Sequence, residues 1–301
     1  TIYDNMAFRK GFYVLIGAGG ALIPAAIYQY NKPLYTQTSD MMPQSSSPVP
    51  WNYDWDLREP TSVIKPSKLD KVVSNEAEKK KLLDEHRSKC TRHLYLVRHG
   101  HYNIDGDTEG DRGLTQLGKQ QATSTGKRLK SLQIPFDVLI SSTMTRARET
   151  ADLIAEELPT DLPRREDVML EEGAPIRPEP STPHWRPSHR QFAVDGARIE
   201  AAFLKYFHRA DYTQTKDSHE LLVCHANVIR YFLCRALQFP PEGWLRMSLA
   251  HGSVSVISIR PNGTLFVSAI GDNGFHSPDI VTYNVPITKE KRKEEFIAGG
   301  G

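Results

Sequence analysis

Two arginines and two histidines, spread over three short segments, are residues of the types that carry out phosphoryl transfer. Arg98 and His99 are adjacent in the sequence, whereas Arg146 and His225 occur far along the chain. An arginine side chain offers a planar, permanently charged fork that matches the oxygens of a phosphate group. A neutral imidazole can attack phosphorus, and a second imidazole can donate to the transferring oxygens as negative charge accumulates on them. These side chains could therefore transfer a phosphoryl group if the fold brought them together.

Short apolar runs precede these segments and predict the strands that would position them. The runs lie at 93–97, 137–141 and 221–224, and helix-compatible stretches follow them at 115–132, 144–158 and 227–238. In open parallel sheets, ligands bind beyond the carboxyl ends of the strands. Because the candidate residues come after the predicted strands, we expect them at one edge of one sheet.

Two further strands are predicted near 254–260 and 264–270. They flank Pro261-Asn262-Gly263, which is a signal for a hairpin turn. The alternation of strands and helices before this hairpin is typical of an α/β protein. The sequence therefore predicts an α/β domain in which a mainly parallel sheet lies between two layers of helices, a three-layer αβα arrangement.

The helix predicted to begin near Asn227 would add backbone donors to the same site. The first N–H groups of a helix have no partner within it, and the helix dipole favours an anion at this end. Asn227 is therefore a candidate phosphate-binding residue. Arginines and a helix terminus can stabilise a phosphate without a metal, and the sequence has no carboxylate cluster with metal-ligand spacing. Neither a metal nor a cofactor is predicted.

The residues around these positions resemble the motifs of a known family. LVRHG at 96–100 is similar to the signature of the histidine phosphatase superfamily, which includes the phosphoglycerate mutases. The blocks DRGLTQLGKQQA, SSTMTRARETA and VCHANVIR match further family blocks in the same order. Together with an apolar N-terminal segment, WNYDWD, LEEGAPIRPEP and RALQFPPEGWLR, they resemble the mitochondrial, membrane-anchored serine/threonine protein phosphatases of this superfamily. The resemblance extends from Trp51 to about Ile280.

This resemblance implies a phosphoglycerate mutase-like fold and a role for each candidate residue. His99 would be the nucleophile that becomes phosphohistidine. Arg98 and Arg146 would clamp the phosphate, and His225 would stabilise the group in transfer. The implied reaction is the metal-independent hydrolysis of phosphoserine or phosphothreonine in proteins.

The resemblance also implies an acid in the segment LEEGAP. Glu172 matches the acidic residue that protonates the leaving alkoxide. Glu171 is adjacent, and the assignment to Glu172 depends on alignment with the following Gly173. We therefore expect Glu172 to complete the catalytic set with His99 and His225.

The residues after the family signature differ from those of the metabolic mutases. Those enzymes typically follow RHG with a Glu, whereas His101, Tyr102 and Asn103 follow it here. The difference favours a protein phosphatase over a glycolytic mutase. Two alternatives stay open: a phosphatase or mutase of small phosphorylated metabolites, and a non-catalytic scaffold that recognises phosphate. A scaffold predicts the loss of at least one pocket side chain, yet both arginines and both histidines are present.

Composition excludes several classes of protein. The 38 Lys and Arg residues against 36 Asp and Glu leave a formal charge of +2, without the basic excess of a nucleic-acid binder. The 3 cysteines are too few for a disulfide-rich scaffold and form no CxxC pair. The motifs of zincins, P-loop enzymes and Rossmann dehydrogenases are absent from the sequence. Some relatives bind a Kelch-type adaptor through an acidic ESGE-type motif, but residues 73–78 read VSNEAE, so this partner is not expected.

The chain is predicted to divide into five parts. These are a short N-terminal segment at 1–10, a transmembrane anchor at 11–31, a linker with a charged helix at 32–90, the histidine phosphatase domain at 91–287 and a disordered tail at 288–301. Residues 11–31 contain no charge and are long enough to cross a bilayer as a helix. A signal peptide and a buried core helix are the alternatives for that segment. The resemblance implies a single-pass anchor in a mitochondrial membrane.

The motif WNYDWD at 51–56 has two interpretations. Its tryptophans could pack against the surface of their own domain, or the motif could dock onto another copy or partner. The resemblance implies the second, with subunits joined through Trp51, Asp54, Trp55 and Asp56. We therefore predict a homo-oligomer.

Overall fold

The computed structural model describes residues 50–182 and 185–283 of the chain. Trp51 begins a compact unit that is built around a six-stranded sheet. The strands are β1 Arg92–Arg98, β2 Val138–Ser142, β3 Arg164–Asp167, β4 Ser218–Cys224, β5 Val254–Ile259 and β6 Leu265–Asp272. The strands predicted near 93–97, 137–141, 221–224, 254–260 and 264–270 are thus confirmed, with small shifts in their bounds.

The strands are arranged in the order β3-β2-β4-β1-β5-β6, and the sheet is mixed. The four strands β1 to β4 pair in parallel, whereas β5 pairs antiparallel with β1 and β6 pairs antiparallel with β5. The prediction of a mainly parallel sheet is therefore wrong. The tight turn that includes Gly263, at a φ of 80°, reverses the chain between β5 and β6. Because β5 enters beside β1 in the opposite direction, the hairpin adds two antiparallel strands to the parallel part.

The inner strands have continuous apolar runs, and both of their faces are buried. Leu94, Leu96 and Val97 of β1 are fully buried, as are the last four residues of β4. A strand covered by helices on both faces needs such a run, whereas a strand with one wet face alternates. The outermost strand β6 alternates between half-buried and exposed residues along its whole length.

Seven α-helices are present among the described residues. They are α1 Pro60–Val63, α2 Pro66–Val72, α3 Glu76–Glu85, α4 Gln116–Ser131, α5 Thr145–Ala155, α6 His189–Tyr206 and α7 Ala226–Ala236. The predicted charged helix corresponds to α3, and the three helix-compatible stretches correspond to α4, α5 and α7. The strand β3 and the long helix α6 are not predicted. β3 is the short charged segment RRED, which has no apolar run to indicate a strand.

Two apolar clusters cover opposite faces of the sheet. Adjacent residues of a strand point to opposite faces, so Leu96 and Val97 belong to different clusters. The cluster of Leu96 includes residues of α6 and α7, and that of Val97 includes residues of α4 and α5. Each large apolar side chain that is fully buried contributes about 1.5–3 kcal/mol relative to exposure. The two helix pairs therefore form the outer layers of an αβα arrangement.

The N-terminal part of the predicted fold is only partly described. Residues 51–90, which include α1, α2 and α3, belong to the compact unit that begins at Trp51. In the part of the chain that the structure describes, no helix has both the length and the apolar character needed to cross a membrane. The predicted anchor at 11–31, the segment at 1–10 and the tail at 288–301 lie outside the described residues.

Candidate active site

Four loops meet at one edge of the sheet. Arg98, the last residue of β1, lies beside Cys224, the last residue of β4, and the parallel strand β2 runs along the other side of β4. Val97 lies opposite Val254, the first residue of the antiparallel strand β5. The loops that follow β1, β2 and β4 therefore share an edge, as the sequence predicts, and the loop that precedes β5 joins them there.

His99 follows β1 and is only 2% exposed. Its Nδ1 lies 2.8 Å from the carbonyl oxygen of Gly100. Because a carbonyl oxygen can only accept, Nδ1 carries the hydrogen and Nε2 keeps its lone pair. A side chain at position 100 is excluded, since a Cβ there would lie 2.5 Å from the carbonyl oxygen of Gly118 in α4. The close packing of α4 thus fixes the loop that presents His99.

Arg98 and Arg146 are buried beside His99, and their charges act on it. The Nη1 of Arg98 donates to the carbonyl oxygen of Leu249 at 2.5 Å, and its Nη2 donates to Nε2 of His251 at 2.8 Å. The Nε atoms of both arginines are buried and have no hydrogen-bond partner among the described residues. Buried N–H groups without partners are rare in folded proteins. Two unpaired guanidinium donors beside a histidine are suited to bind an oxyanion.

Arg146 is also held by residues of the loop between β1 and α4. Its Nη1 donates to Glu109 at 3.2 Å, and its guanidinium lies over the ring of Tyr102 at 4.6 Å from the centroid. The ring of Tyr102 in turn meets that of His99 edge to face, with centroids 5.1 Å apart. Tyr102 therefore connects His99 to Arg146 through aromatic and cation–π contacts.

His225 follows β4 and is fully buried, at the N-cap position of α7. Its ring lies 5.0 Å from that of His99, measured between centroids. Its Nε2 lies 2.8 Å from Oγ of Ser142, which also accepts the backbone N–H of Met144 at 3.3 Å. Nδ1 of His225 is buried and has no partner among the described residues. If Ser142 donates to Nε2, Nδ1 is the protonated nitrogen and is available to an oxyanion.

The two adjacent glutamates have different contacts. Glu171 accepts a hydrogen bond from Oγ1 of Thr143 at 2.5 Å. Glu172 interacts electrostatically with both clamp arginines and is the one directed at the site. Arg198 donates to the backbone carbonyl oxygens of Glu171 and Glu172 at 2.6 and 3.0 Å, which fixes the segment. Glu172, the residue named by the sequence, is therefore brought together with Arg98 and Arg146.

Burial shifts the pKa values of the histidines and of the acid in opposite directions. The pKa of His99 lies well below its usual value because desolvation disfavours the cation, and His225 and the arginines add repulsion. Burial and the arginines lower the pKa of His225 in the same way. Burial raises the pKa of Glu172, although backbone N–H groups and the arginines oppose that shift. Burial lowers the pKa of Arg98 to about 10, which still leaves it charged at neutral pH.

Asn227 lies at the site, but both polar atoms of its side chain are hydrogen-bonded to other residues. Its Nδ2 donates to the carbonyl oxygen of Gly173 at 3.0 Å, and its Oδ1 accepts from Arg230 at 3.3 Å. Its backbone N–H is directed at the carboxyl group of Glu172. Asn227 thus ties the acid segment to the start of α7, and its contact with phosphate stays a prediction.

Three further residues of the site are not found from the sequence. The ring of His251 lies 5.7 Å from that of His99, Tyr102 contacts both His99 and Arg146, and the charge of Arg230 acts on Glu172. His251 is not predicted, because only residues that follow parallel strands are expected at this edge of the sheet. In an antiparallel strand such as β5, the preceding residues reach that edge instead. The hairpin signal could have indicated this.

A metal centre is not indicated by the side chains of this site. Within residues 50–182 and 185–283, no group of three or more His, Cys, Asp or Glu residues is arranged to hold a metal ion. The positive charges beside His99 belong to Arg98 and Arg146, a residue type that can bind phosphate oxygens directly.

The tryptophans of WNYDWD contact the same chain. Nε1 of Trp55 donates to the carbonyl oxygen of Gly263 at 2.8 Å, and its ring lies 6.1 Å from that of Phe203 in α6. Nε1 of Trp51 is buried and has no partner among the described residues. Within a single chain, Trp55 therefore packs against its own domain, which is the first of the two interpretations of the motif.

The aspartates of the motif surround a buried arginine. Arg209 is 2% exposed, and its Nη2 lies 2.6 Å from Asp56 and 3.5 Å from Asp54. It also pairs with Glu59 and donates to the carbonyl oxygen of Tyr53. Burial lowers the pKa of Arg209, but hydrogen bonds and charges from Asp56 and Glu59 outweigh it, and the net shift is upward. These contacts anchor residues 51–59 to the end of α6.

Comparisons with known proteins cover the same region. The family model of the histidine phosphatase superfamily (branch 1) matches residues 94–270. A mouse protein named "Serine/threonine-protein phosphatase PGAM5, mitochondrial" is 52% identical over 232 residues, 77% of this chain and 80% of the relative. The human protein of that name is 52% identical over 235 residues, 78% and 81% of the two chains. A phosphoglycerate mutase structure from Plasmodium falciparum is 31% identical over 61% of this chain and 92% of its own, with a TM-score of 0.44.

Proposed function

The chain belongs to the histidine phosphatase superfamily (branch 1), and on that premise we propose that it is a serine/threonine protein phosphatase. One observation carries the proposal: His99 offers a free Nε2 beside two buried guanidinium groups whose Nε atoms have no partner among the described residues. That arrangement suits a phosphate monoester. The names of relatives at 52% identity support phosphoserine and phosphothreonine in proteins as the substrates.

In the first half of the reaction, the phosphoryl group moves to the protein. Nε2 of His99 attacks phosphorus, and an N–P bond forms as the bond from phosphorus to the serine or threonine oxygen breaks. Arg98 and Arg146 stabilise the negative charge on the transferring oxygens. The raised pKa of Glu172 keeps a proton available, and this carboxyl group donates it to the leaving alkoxide.

In the second half, water removes the phosphoryl group. Glu172, now deprotonated, accepts a proton from a water molecule that attacks phosphorus. The N–P bond breaks, inorganic phosphate leaves, and the electron pair returns to Nε2 of His99. The low pKa of His99 favours this step, because the ring leaves as the neutral form that the site stabilises.

A phosphate-release assay tests the proposal directly. The purified protein is given a phosphothreonine peptide, 3-phosphoglycerate or bisphosphoglycerate, with a chelator present, and His99→Ala serves as the control. We expect turnover of the peptide that survives the chelator and is lost in the variant. Turnover of the glycerate phosphates alone would instead assign a metabolic phosphatase or mutase, and no turnover of any substrate would leave a phosphate-recognising scaffold.

We place the protein in mitochondria, since relatives that match over three quarters of the chain are named mitochondrial. The proposed single-pass anchor is the uncharged segment 11–31. Its test is carbonate extraction of mitochondria that contain the full chain. Retention in the membrane pellet supports the anchor, provided that introducing arginine at Leu15 and Ile16 releases the protein.

We also propose that residues 51–56 join subunits into a homo-oligomer. Two features support this: the motif carries partly buried tryptophans on a segment outside the sheet, and the same contacts to Gly263 and Arg209 can be made by the motif of another copy. Exchange of such a segment between identical chains needs no new surface. The proposal therefore predicts that the contacts of Trp55 and Asp56 hold the assembly together.

The variant Trp55→Ala tests the oligomer. We expect both a smaller sedimentation coefficient and lower turnover, because the lost indole exposes part of the core beside Phe203. Tyr53→Ala is the matched control, since the side chain of Tyr53 is 40% exposed. An unchanged assembly of folded Trp55→Ala in sedimentation velocity would refute the role of the motif.

A further inference from the structure

We infer that His251 is a positioning residue that fixes the guanidinium of Arg98 for phosphate, and that Thr282 acts on the same clamp through His251. This role presupposes the proposed function, and it adds residues that the family motifs do not contain. Arg98 and His251 are each 1% exposed, and Nη2 of Arg98 lies 2.8 Å from Nε2 of His251. Leu249 holds Nη1 of the same guanidinium through its carbonyl oxygen. Neither partner carries a negative charge, so they orient the clamp without neutralising it.

The partners of His251 settle which of its nitrogens is protonated. An arginine can only donate, so Nε2 of His251 accepts and the hydrogen lies on Nδ1. Nδ1 therefore donates to Oγ1 of Thr282, at 2.9 Å. The backbone N–H of His251 also donates to the carbonyl oxygen of Thr282, at 2.9 Å. Thr282 thus holds both the ring and the backbone of the residue that orients Arg98.

The chain of hydrogen bonds continues back to the loop after β1. Gln121 of α4 donates from Nε2 to Oγ1 of Thr282 at 2.8 Å. The Oε1 of Gln121 accepts the backbone N–H of His101 at 2.7 Å. A continuous chain of hydrogen bonds therefore surrounds the loop that carries the nucleophile. It links Arg98, His251, Thr282, Gln121 and His101. A change at Thr282 is expected to reach the clamp, although Thr282 lies far along the chain from both arginines.

The chemistry of this contact defines the variants that test it. Asparagine has an acceptor and a donor on one short side chain, so His251→Asn can accept from Arg98 and donate to Thr282. His251→Ala removes both contacts. Thr282→Ser keeps the hydroxyl, and Thr282→Val keeps the shape without it. An Arg98 side chain that is not held must be ordered by the substrate, which lowers both oxyanion affinity and rate.

Steady-state kinetics of the full chain measure the effect. The substrates are a phosphothreonine peptide and p-nitrophenyl phosphate, and orthovanadate is the oxyanion inhibitor. We expect His251→Ala to lower kcat/KM by about 10- to 100-fold, as for other residues that orient a reacting group. Orthovanadate inhibition should weaken by about tenfold or more, whereas His251→Asn and Thr282→Ser should stay within about threefold of the original protein. Thr282→Val should fall between the two groups.

A double-mutant cycle separates positioning from a merely structural role. Arg98→Lys keeps the charge but loses the fork that His251 holds. If His251 acts through Arg98, His251→Ala in that background should cost less than about threefold. An equal loss in both backgrounds would overturn the inference. So would a folded His251→Asn variant as impaired as His251→Ala, or equal activity of Thr282→Val and Thr282→Ser.

The same variants distinguish failure of this inference from failure of the proposed function. If the original protein turns over neither substrate, the phosphatase assignment fails, and the comparison moves to calorimetric titration with orthovanadate. Weaker binding by His251→Ala and Thr282→Val, with binding retained in His251→Asn and Thr282→Ser, would still support the inference. If the original protein does not bind orthovanadate, both are overturned. Thermal unfolding of each variant identifies any that fail to fold. If a His251 variant does not fold, the comparison of Thr282→Val with Thr282→Ser tests the inference instead.

Discussion

Strand β1 carries a buried arginine at each end, and the two have different partners. At the amino end, Arg92 is 6% exposed and donates to both carboxylate oxygens of Glu220, at 2.8 and 2.7 Å. At the carboxyl end, Arg98 is held by a carbonyl oxygen and by a neutral imidazole nitrogen. A buried charge is costly unless it is paired. The amino end is therefore a closed ion pair, whereas the two groups that hold Arg98 at the carboxyl end do not neutralise its charge.

The histidines of the same strand region repeat this difference. His93 stacks on His219, with ring centroids 4.6 Å apart, and its Nδ1 lies 2.8 Å from Oγ of Ser258. His99 has its Nδ1 bound to Gly100 and its Nε2 free, among positive charges. Residue type alone does not separate the two ends of the sheet. Both rings are bound through Nδ1, so what separates them is their neighbours: His99 lies among the charges of Arg98 and Arg146, whereas His93 stacks on His219.

The largest expected effect is the loss of the nucleophile at the carboxyl end. His99→Ala should lower kcat for a phosphothreonine peptide by at least about 10⁴-fold, because no other group can form the covalent intermediate. His93→Ala, at the other end of β1, should change it by less than about threefold. Acid-labile, base-stable phosphorylation trapped with labelled substrate should vanish only in His99→Ala. Equal losses in both variants would remove the functional difference between the two ends.

The two arginines should show opposite effects on activity and on stability. Arg98→Ala should lower kcat/KM by about 10²- to 10³-fold through lost charge stabilisation, with the free energy of unfolding changed by less than about 1 kcal/mol. Arg92→Ala should leave Glu220 without its cation and lower the free energy of unfolding by about 3 kcal/mol, with normal kcat in the folded protein. Urea unfolding and kinetics on the same samples measure both. A stability loss in Arg98→Ala as large as in Arg92→Ala would contradict the comparison.

Glu172 and Glu220 can be compared by the rates of their variants on two substrates whose leaving groups differ in basicity. Glu172→Gln should slow a phosphothreonine peptide by about 10²-fold or more, because threonine leaves as a basic alkoxide that needs a proton. With p-nitrophenyl phosphate, whose leaving group needs no proton, it should instead give a rapid burst and accumulate phosphohistidine. Glu220→Gln should lower stability but keep the same rate ratio between the two substrates. No burst and an unchanged ratio in Glu172→Gln would remove Glu172 from the reaction.

The pKa shifts determine how pH should affect the same pair of variants. The nucleophile must be neutral, and the lowered pKa of His99 places the acidic limb of the rate profile below the usual histidine value of 6.5. The acid must be protonated, and the raised pKa of Glu172 extends activity to higher pH than an ordinary carboxyl would allow. Glu172→Gln should therefore lose the alkaline limb and keep the acidic one, whereas Glu220→Gln should keep both.

The smallest effect concerns the serines that begin and end neighbouring strands. Ser142→Ala, at the end of β2, should lower kcat by about tenfold, because His225 loses the partner that holds its Nδ1 protonated. Ser218→Ala, at the start of β4, should leave kcat unchanged, since its hydroxyl only donates to Glu220 at 3.3 Å. Nitrogen NMR of labelled His225 can follow its protonation directly. A fully active Ser142→Ala would assign that task to another group.

Much of the site follows from local patterns in the sequence. Apolar runs mark β1, β2 and β4 because these strands are buried on both faces, and the residues after them are therefore placed at one edge. The assignment of Glu172 depends on family resemblance and stays a prediction. Of the two adjacent glutamates, Glu172 interacts with the clamp arginines, whereas Glu171 accepts from Thr143. β3 carries no comparable pattern, so its position follows only from packing. α6 does carry one, because Ile199, Ala202, Phe203 and Tyr206 recur at helical spacing after the N-cap Ser188, and the sequence could have indicated this helix. The hairpin signal requires β5 and β6 to run in opposite directions and so indicates a mixed sheet, but no local pattern determines that β5 is the strand that joins β1.

The sequence by itself determined which chemical groups are available and in which loops they occur. Residue type sets what an arginine or a histidine can do, and hydrophobic periodicity sets which strand precedes it. Only the tertiary structure decided which of them are free to react. Arg92 and Arg98 differ because Glu220 pairs with one while His251, carried in by an antiparallel strand, holds the other. Charge neutralisation and imidazole tautomers depend on atoms within about 3 Å, and residues distant in the chain supply those atoms.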